Sequence, residues 1–169
     1  KATTFDQLFD QTNALDWAKY IGPNDAFPIL ATSVKSLLHS EPAIQSIVKK
    51  ALVKKLQQQH QTETLAENSG AAYQIIVKAN KDQFIVAIDT SGDSLHKRGY
   101  RQEANAAPIK ETLAAALVKL SDWTGQDSER SLIDPFCGSG TIAIEAALIA
   151  RNIAPGLKRQ FAYQKWPWI

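Results

Sequence analysis

Ser131-Leu132-Ile133 is a short apolar run that ends at Asp134, passes through Pro135-Phe136-Cys137-Gly138-Ser139-Gly140, and at Thr141 opens a second apolar run of helical length. That order predicts a strand-to-helix unit of an α/β sheet, with Asp134 at the carboxyl end of the strand and a helix from Ile142 to about Ile149. Glycine at 138 and 140 allows a tight turn and a close approach of a ligand to the main chain. The first amides of the following helix have no partner inside the helix, so they offer donors to an anionic group. The turn is therefore a candidate ligand site.

S-adenosylmethionine fits the chemistry of such a turn. Its carboxylate suits the free amides, and its ammonium suits the Asp134 carboxylate. A phosphate-binding P-loop would need a lysine before the hydroxyl residue, and Gly140 stands before Thr141. A dinucleotide site is closer, because Gly138, Gly140 and Ala143 satisfy a relaxed G-x-G-x-x-A pattern. Against it, an acid sits where a pyrophosphate must approach, and no Asp or Glu follows Glu145 to hold a ribose. A plain strand-to-helix turn would explain a lone pair of glycines, but it leaves Asp134, Pro135 and Thr141 without a reason.

Upstream, Thr3 or Thr4 can cap a short helix carrying Phe5, Leu8, Phe9 and Thr12, with Trp17 following before the Gly22-Pro23-Asn24-Asp25 break. Phe27 to Ser33 suits a strand. Ser40-Glu41-Pro42 announces a second helix with Ile44, Ile47, Val48, Ala51, Leu52 and Leu56 at helical spacing, followed by a loop from Gln58 to Gly70. Tyr73, Ile75, Val77 and Ala79 alternate with polar or outward positions, and after Asn80-Lys81-Asp82 the run Phe84 to Ile88 completes a hairpin. Hairpin and helices mixed in this way predict an α+β layer. Pro108 starts a further helix with Ile109, Leu113, Ala116, Leu117 and Leu120 on its apolar face.

Asp134 to Thr141, Ile144-Glu145-Ala146-Ala147 and Ile153-Ala154-Pro155-Gly156 together resemble the cofactor motif of methyltransferases that carry a THUMP domain. More narrowly, they are similar to the bacterial large-subunit ribosomal RNA guanine-N2 methyltransferases. The similarity runs upstream through Leu95-His96-Lys97-Arg98-Gly99-Tyr100-Arg101 and Ala107 to Ala116. The resemblance implies a THUMP RNA-binding region over residues 1–101, a linker at 102–107, and the first strand and helix of a Rossmann-like, S-adenosylmethionine-dependent domain over 108–169. By carry-over, Asp134, Phe136, Gly138, Ser139, Gly140 and Thr141 face the cofactor, with Pro108 and Thr112 in second rank. Glu145 either lies near that site or is an ordinary helix-surface glutamate. The family's later Pro-Pro-aromatic motif is missing, so no catalytic residue is assigned, and the chain is expected to be truncated at both ends and inactive in isolation.

Lys50 and Lys54 stand one turn apart on the second helix, as an RNA phosphate surface or a solvated face. His96, Lys97, Arg98 and Arg101, with Tyr100 able to stack on a base, are expected to contact RNA at the junction of the two regions. A net charge of +2 implies no nucleic acid by itself, so position carries the argument. One cysteine and three scattered histidines give neither an internal disulfide nor a metal-ligand pattern, and no apolar run reaches the roughly 18 residues of a membrane span. The expected setting is a cytoplasmic protein acting on RNA, ribosomal by resemblance, without metal or membrane. A non-catalytic RNA-binding module and a dinucleotide-dependent oxidoreductase are the competing functions.

Overall fold

The structure is a computed structural model, and it describes residues 1–67, 69–100, 109–127 and 129–167. The chain forms two compact units, Lys1–Gly92 with Ala162–Ile169, and Asp93–Phe161.

The first unit opens with α1 (Phe5–Asn13), whose Thr4 side chain accepts the Gln7 N–H at 3.3 Å and so satisfies one orphan donor of the first turn. Leu8 and Thr12 are its buried positions, and the Trp17 indole donates to the Thr12 carbonyl at 2.8 Å. β1 (Ile29–Val34) leads to α2 (Glu41–His60). Ser40 caps α2 by accepting the Ala43 N–H, Pro42 occupies the first turn, and Gln61 ends the helix in the left-handed region at φ 51°. The stripe Ile44, Val48, Ala51, Leu52 and Leu56 is buried, as its spacing predicts. The helix continues through Gln58, Gln59 and His60, where the polar composition predicts loop; side-chain anchors hold this last turn. Gln59 bonds Asp16 and the Ala18 amide, and His60 reaches the Ile21 carbonyl.

β2 (Ile75–Asn80) pairs parallel with β1 and antiparallel with β3 (Gln83–Ile88), giving the order β1-β2-β3. A parallel pair needs a crossover, and α2 supplies it. Lys81 and Asp82, both at positive φ, form the two-residue turn of the hairpin, the backbone twist that suits the flanking strands. Ala31, Ile75, Val77 and Ala79 are buried on the inner face, and all but Ala79 join Ile44, Val48, Leu52 and Leu56 of α2, with Phe27 and Tyr73, in one core. The last segment also belongs here. After a 3-10 turn at Ala162–Lys165, Trp166 stacks on Tyr73 with ring centroids 4.8 Å apart and donates to the Ala72 carbonyl at 3.1 Å.

In the second unit α3 (Glu111–Leu120) packs on α4 (Thr141–Ala150). The expected apolar face of α3 is not the buried one. Leu113, Leu117 and Leu120 are exposed, whereas Ala114, Ala115 and Val118 are buried, because small side chains let the helices approach closely. The strand expected at Ser131–Ile133 is also absent as a paired element. Among the described residues no neighbouring segment offers it a ladder partner, and a strand exists only through its pairing. The expected helix after the glycine turn is present, beginning one residue earlier than the sequence suggests, at Thr141.

The sequence places the break between regions at 102–107, but the compact units divide at Gly92. Side-chain anchors explain the difference. Arg159 donates to the carbonyls of Asp93 and Ser94, holding the segment after Gly92 within the second unit. Residues 101–108 lie outside the described residues, and with them the linker and two expected site residues, Arg101 and Pro108.

Candidate cofactor turn and basic surface

Asp134 is half-buried, and one of its carboxylate oxygens accepts the Phe136 N–H at 3.2 Å, which starts the turn. Gly138 (φ 52°) and Gly140 (φ 74°) both occupy the left-handed region. The Gly140 N–H donates to the Cys137 carbonyl at 2.7 Å. A side chain at Gly140 would meet nothing within 4 Å, so glycine is required there by backbone conformation, and open space lies on that side of the loop. Gly140 is also the N-cap of α4 and makes no side-chain cap bond. Ser139 and Thr141 hydroxyls stand 3.3 Å apart, with Thr141 buried.

Phe136 is 93% exposed and Cys137 is exposed. Asp134 and Pro135 form part of the wall of an open cavity of about 730 Å³, shared with Trp123, Leu132, Ile133 and Ile142. Thr112 is placed elsewhere. It lines a groove of about 460 Å³ between α3 and α4 together with Arg98, Lys119 and Glu145. The cofactor candidates thus divide into a contiguous set at the turn and Thr112 on the α3–α4 groove.

Among the basic candidates, Lys97 is exposed and lies 3.5 Å from Asp93, an ion pair of little energetic weight at that exposure. His96 is half-buried. Arg98 and Tyr100 turn inward to Glu145. Glu145 is fully buried; its Oε2 accepts from the Arg98 guanidinium and its Oε1 accepts from the Tyr100 hydroxyl at 2.7 Å. Burial, followed by the Glu145 carboxylate, pushes the Tyr100 phenol well above its ordinary value. Sequence reasoning missed this cluster. The available signal was a single charge in the apolar helix Thr141–Ala150, which cannot be buried without a partner.

On α2, Lys50 and Lys54 are exposed, and the Lys54 ammonium lies 5.6 Å from the Phe9 ring centroid. Lys49 beside them is not free: it sits 3.6 Å over the Phe27 ring and is paired with Glu67 from the following loop. Among the described residues no helix is long and apolar enough to cross a membrane.

A helix–strand–helix–hairpin unit joined to a glycine turn at a helix start defines a class. Residues 2–89 match the THUMP domain and residues 98–167 match the RMKL-like methyltransferase domain, so the chain belongs to the proteins that couple these two domains. Its α+β first region and the Rossmann-like portion after it are accordingly those of that family. Among curated relatives, "Putative RNA methyltransferase YpsC" of Bacillus subtilis is 53% identical over the whole of this chain and 43% of its own length. "Ribosomal RNA large subunit methyltransferase K/L" of Alteromonas mediterranea is 35% identical over 98% of this chain and 24% of its own length. A solved structure of "SMU.472, a putative methyltransferase complexed with SAH" is 49% identical, with a TM-score of 0.90 over 99% of this chain and 44% of the other. The chain thus spans less than half the length of these relatives.

Proposed function

We propose that the chain supplies the RNA-gripping unit and the cofactor turn of an S-adenosylmethionine-dependent RNA methyltransferase that modifies a base amine, guanine N2 of large-subunit ribosomal RNA. The observation that carries this reading is the Asp134–Thr141 turn: a half-buried acid, two left-handed glycines, and a helix start that no side chain caps. Such a start suits a carboxylate, and Asp134 suits an ammonium. One amino-acid end of the cofactor offers both. The open space beside Gly140 fits a ligand lying against the main chain. The name of the SAH-bound relative supports the same cofactor class, and the names of the K/L relatives support ribosomal RNA as the substrate.

When bound, the cofactor supplies an electrophilic sulfonium methyl group, and the protein's contribution is orientation. Asp134 and the first amides of α4 would hold the amino-acid end. Gly138, Ser139 and Gly140 would shape the loop around it, and exposed Phe136 would border it. On the RNA side, Lys50, Lys54, Lys97 and Arg101 are the candidates for phosphates, with His96 beside them. Arg98 and Tyr100, already bonded to Glu145, are weaker candidates for RNA than their sequence position suggests. A purely RNA-binding module would leave the uncapped glycine turn without a use, and a nicotinamide site would bring pyrophosphate against Asp134.

Calorimetric titration of the protein with S-adenosylhomocysteine tests the reading. Binding is expected in the wild type, with Asp134→Ala weakening it by roughly tenfold or more through loss of the ammonium's charged partner. RNA affinity measured without cofactor should stay near wild type. Equal affinity in the variant would remove Asp134 from the site, and preferential binding of a nicotinamide dinucleotide would replace the methyltransferase reading.

A further inference from the structure

Glu145, Arg98 and Tyr100 form a cluster that the proposed cofactor turn does not use. Glu145 is fully buried, and each of its two carboxylate oxygens receives a different donor from residues 93–100. The same segment is tied at two other points. Arg159 donates to the carbonyls of Asp93 and Ser94. Gly99, at φ +80°, passes so close to the Lys158 carbonyl that a side chain there would lie 3.0 Å from its oxygen. Residues 93–100 are therefore a strap fixed at its start, at Gly99 and at Glu145.

We propose that Glu145 is a positioning residue for the glycine turn, and that Arg98 and Tyr100 serve as its two latches instead of contacting RNA. This rests on the reading of the turn as the cofactor site. Glu145 stands four residues after Thr141, so it is on the same face of α4, one turn beyond the helix start that the cofactor would meet. A rotation of α4 that displaced its first amides would also drag Glu145 away from both donors. Opposite charge and a directional phenol bond add to packing in resisting that rotation, because two hydrogen bonds to two separate oxygens fix both the position and the orientation of the carboxylate. The helix is short and otherwise apolar, and its Ile144 is partly exposed, so packing alone gives little rotational register.

Three variants and two ligand-independent readouts test this. In Glu145→Gln, hydrogen exchange of the two bonded amides of the turn and helix start, Gly140 N–H and Ile144 N–H, should rise roughly tenfold, on the order of one lost hydrogen bond to a charged group, while exchange in β2 and α2 of the first unit stays unchanged. Ultraviolet titration should report the latch itself. Burial raises the Tyr100 phenol most, Glu145 of α4 and Glu111 of α3 add to it and Arg98 of the strap opposes them, so loss of the Glu145 charge in Glu145→Gln should make the phenol ionise more readily than in the wild type. Affinity for S-adenosylhomocysteine should fall along with the exchange protection. Tyr100→Phe, which keeps the ion pair, should give a smaller change at the same amides, and Glu145→Asp should not restore the wild-type value, because the shorter side chain cannot reach both donors. If Glu145→Gln unfolds the second unit, Tyr100→Phe decides. Unchanged exchange at Gly140 and Ile144 in a folded variant overturns the proposal. Loosened amides in Glu145→Gln, together with a wild type that binds no S-adenosylhomocysteine, would keep the latch and overturn the cofactor reading.

Discussion

At Glu145 a carboxylate with no solvent exposure is held by an arginine whose side chain is 12% exposed. Charges this deep are costly to bury and more costly to orphan. Removing one partner of a buried pair destabilises by about 3–5 kcal/mol, a large share of the total stability of a small unit. Glu145→Ala is therefore expected to leave the second unit largely unfolded by circular dichroism at room temperature, with the first unit intact. Tyr100 adds a pH dependence whose direction is fixed. Its phenol is held above the ordinary value of 10.0, so in the unfolded chain it ionises first. Its contribution is present in full below about pH 10 and is lost as pH rises toward the folded value. Urea unfolding of the second unit should show stability falling from about pH 10 upward, and Tyr100→Phe should flatten that slope. An equally steep slope in the variant would assign it to another group. None of this was legible in the chain order, because Arg98 and Glu145 are remote in sequence and only the fold makes them neighbours.

Among the elements, α2 and the hairpin could be read from the sequence, and α3 could not. The α2 stripe is mostly large aliphatic residues at one helical spacing, so a single face satisfies it, and Ser40 with Pro42 marks its start. Ser40→Ala should cost about 1 kcal/mol in denaturant titration of the first unit, since one first-turn amide loses its acceptor. A loss below a few tenths would mean water replaces the hydroxyl fully. In α3 two stripes compete at the same period, one of leucines and one of alanines with Val118. Periodicity cannot choose between them; the approach of α4 does, and it selects the small residues. The segment Ser131–Ile133 carries the composition of a strand, yet pairing is a property of two segments, and its composition specifies only one.

For the whole molecule, the proposed cofactor turn and the lysine-bearing helix fall in different compact units, so cofactor affinity and RNA affinity should respond to separate substitutions. Replacing Lys50, Lys54 and Lys97 together by alanine should flatten the dependence of RNA affinity on salt, by up to about 0.9 in logarithmic slope for each phosphate no longer neutralised. Affinity for S-adenosylhomocysteine should be unchanged. An unaltered salt slope would move the RNA surface off these lysines. The sequence by itself determined the elements whose cause is local: the helices capped by Thr4 and Ser40, the hairpin that turns within Asn80-Lys81-Asp82, and the glycine turn before α4. Tertiary structure alone decided which face of α3 is covered, that Trp166 returns to stack on Tyr73, and that Arg98 and Tyr100 face Glu145 instead of solvent. The physical reason is that burial, ion pairing and ring stacking join distant parts of the chain, and a one-dimensional pattern can permit such pairings but cannot select among them.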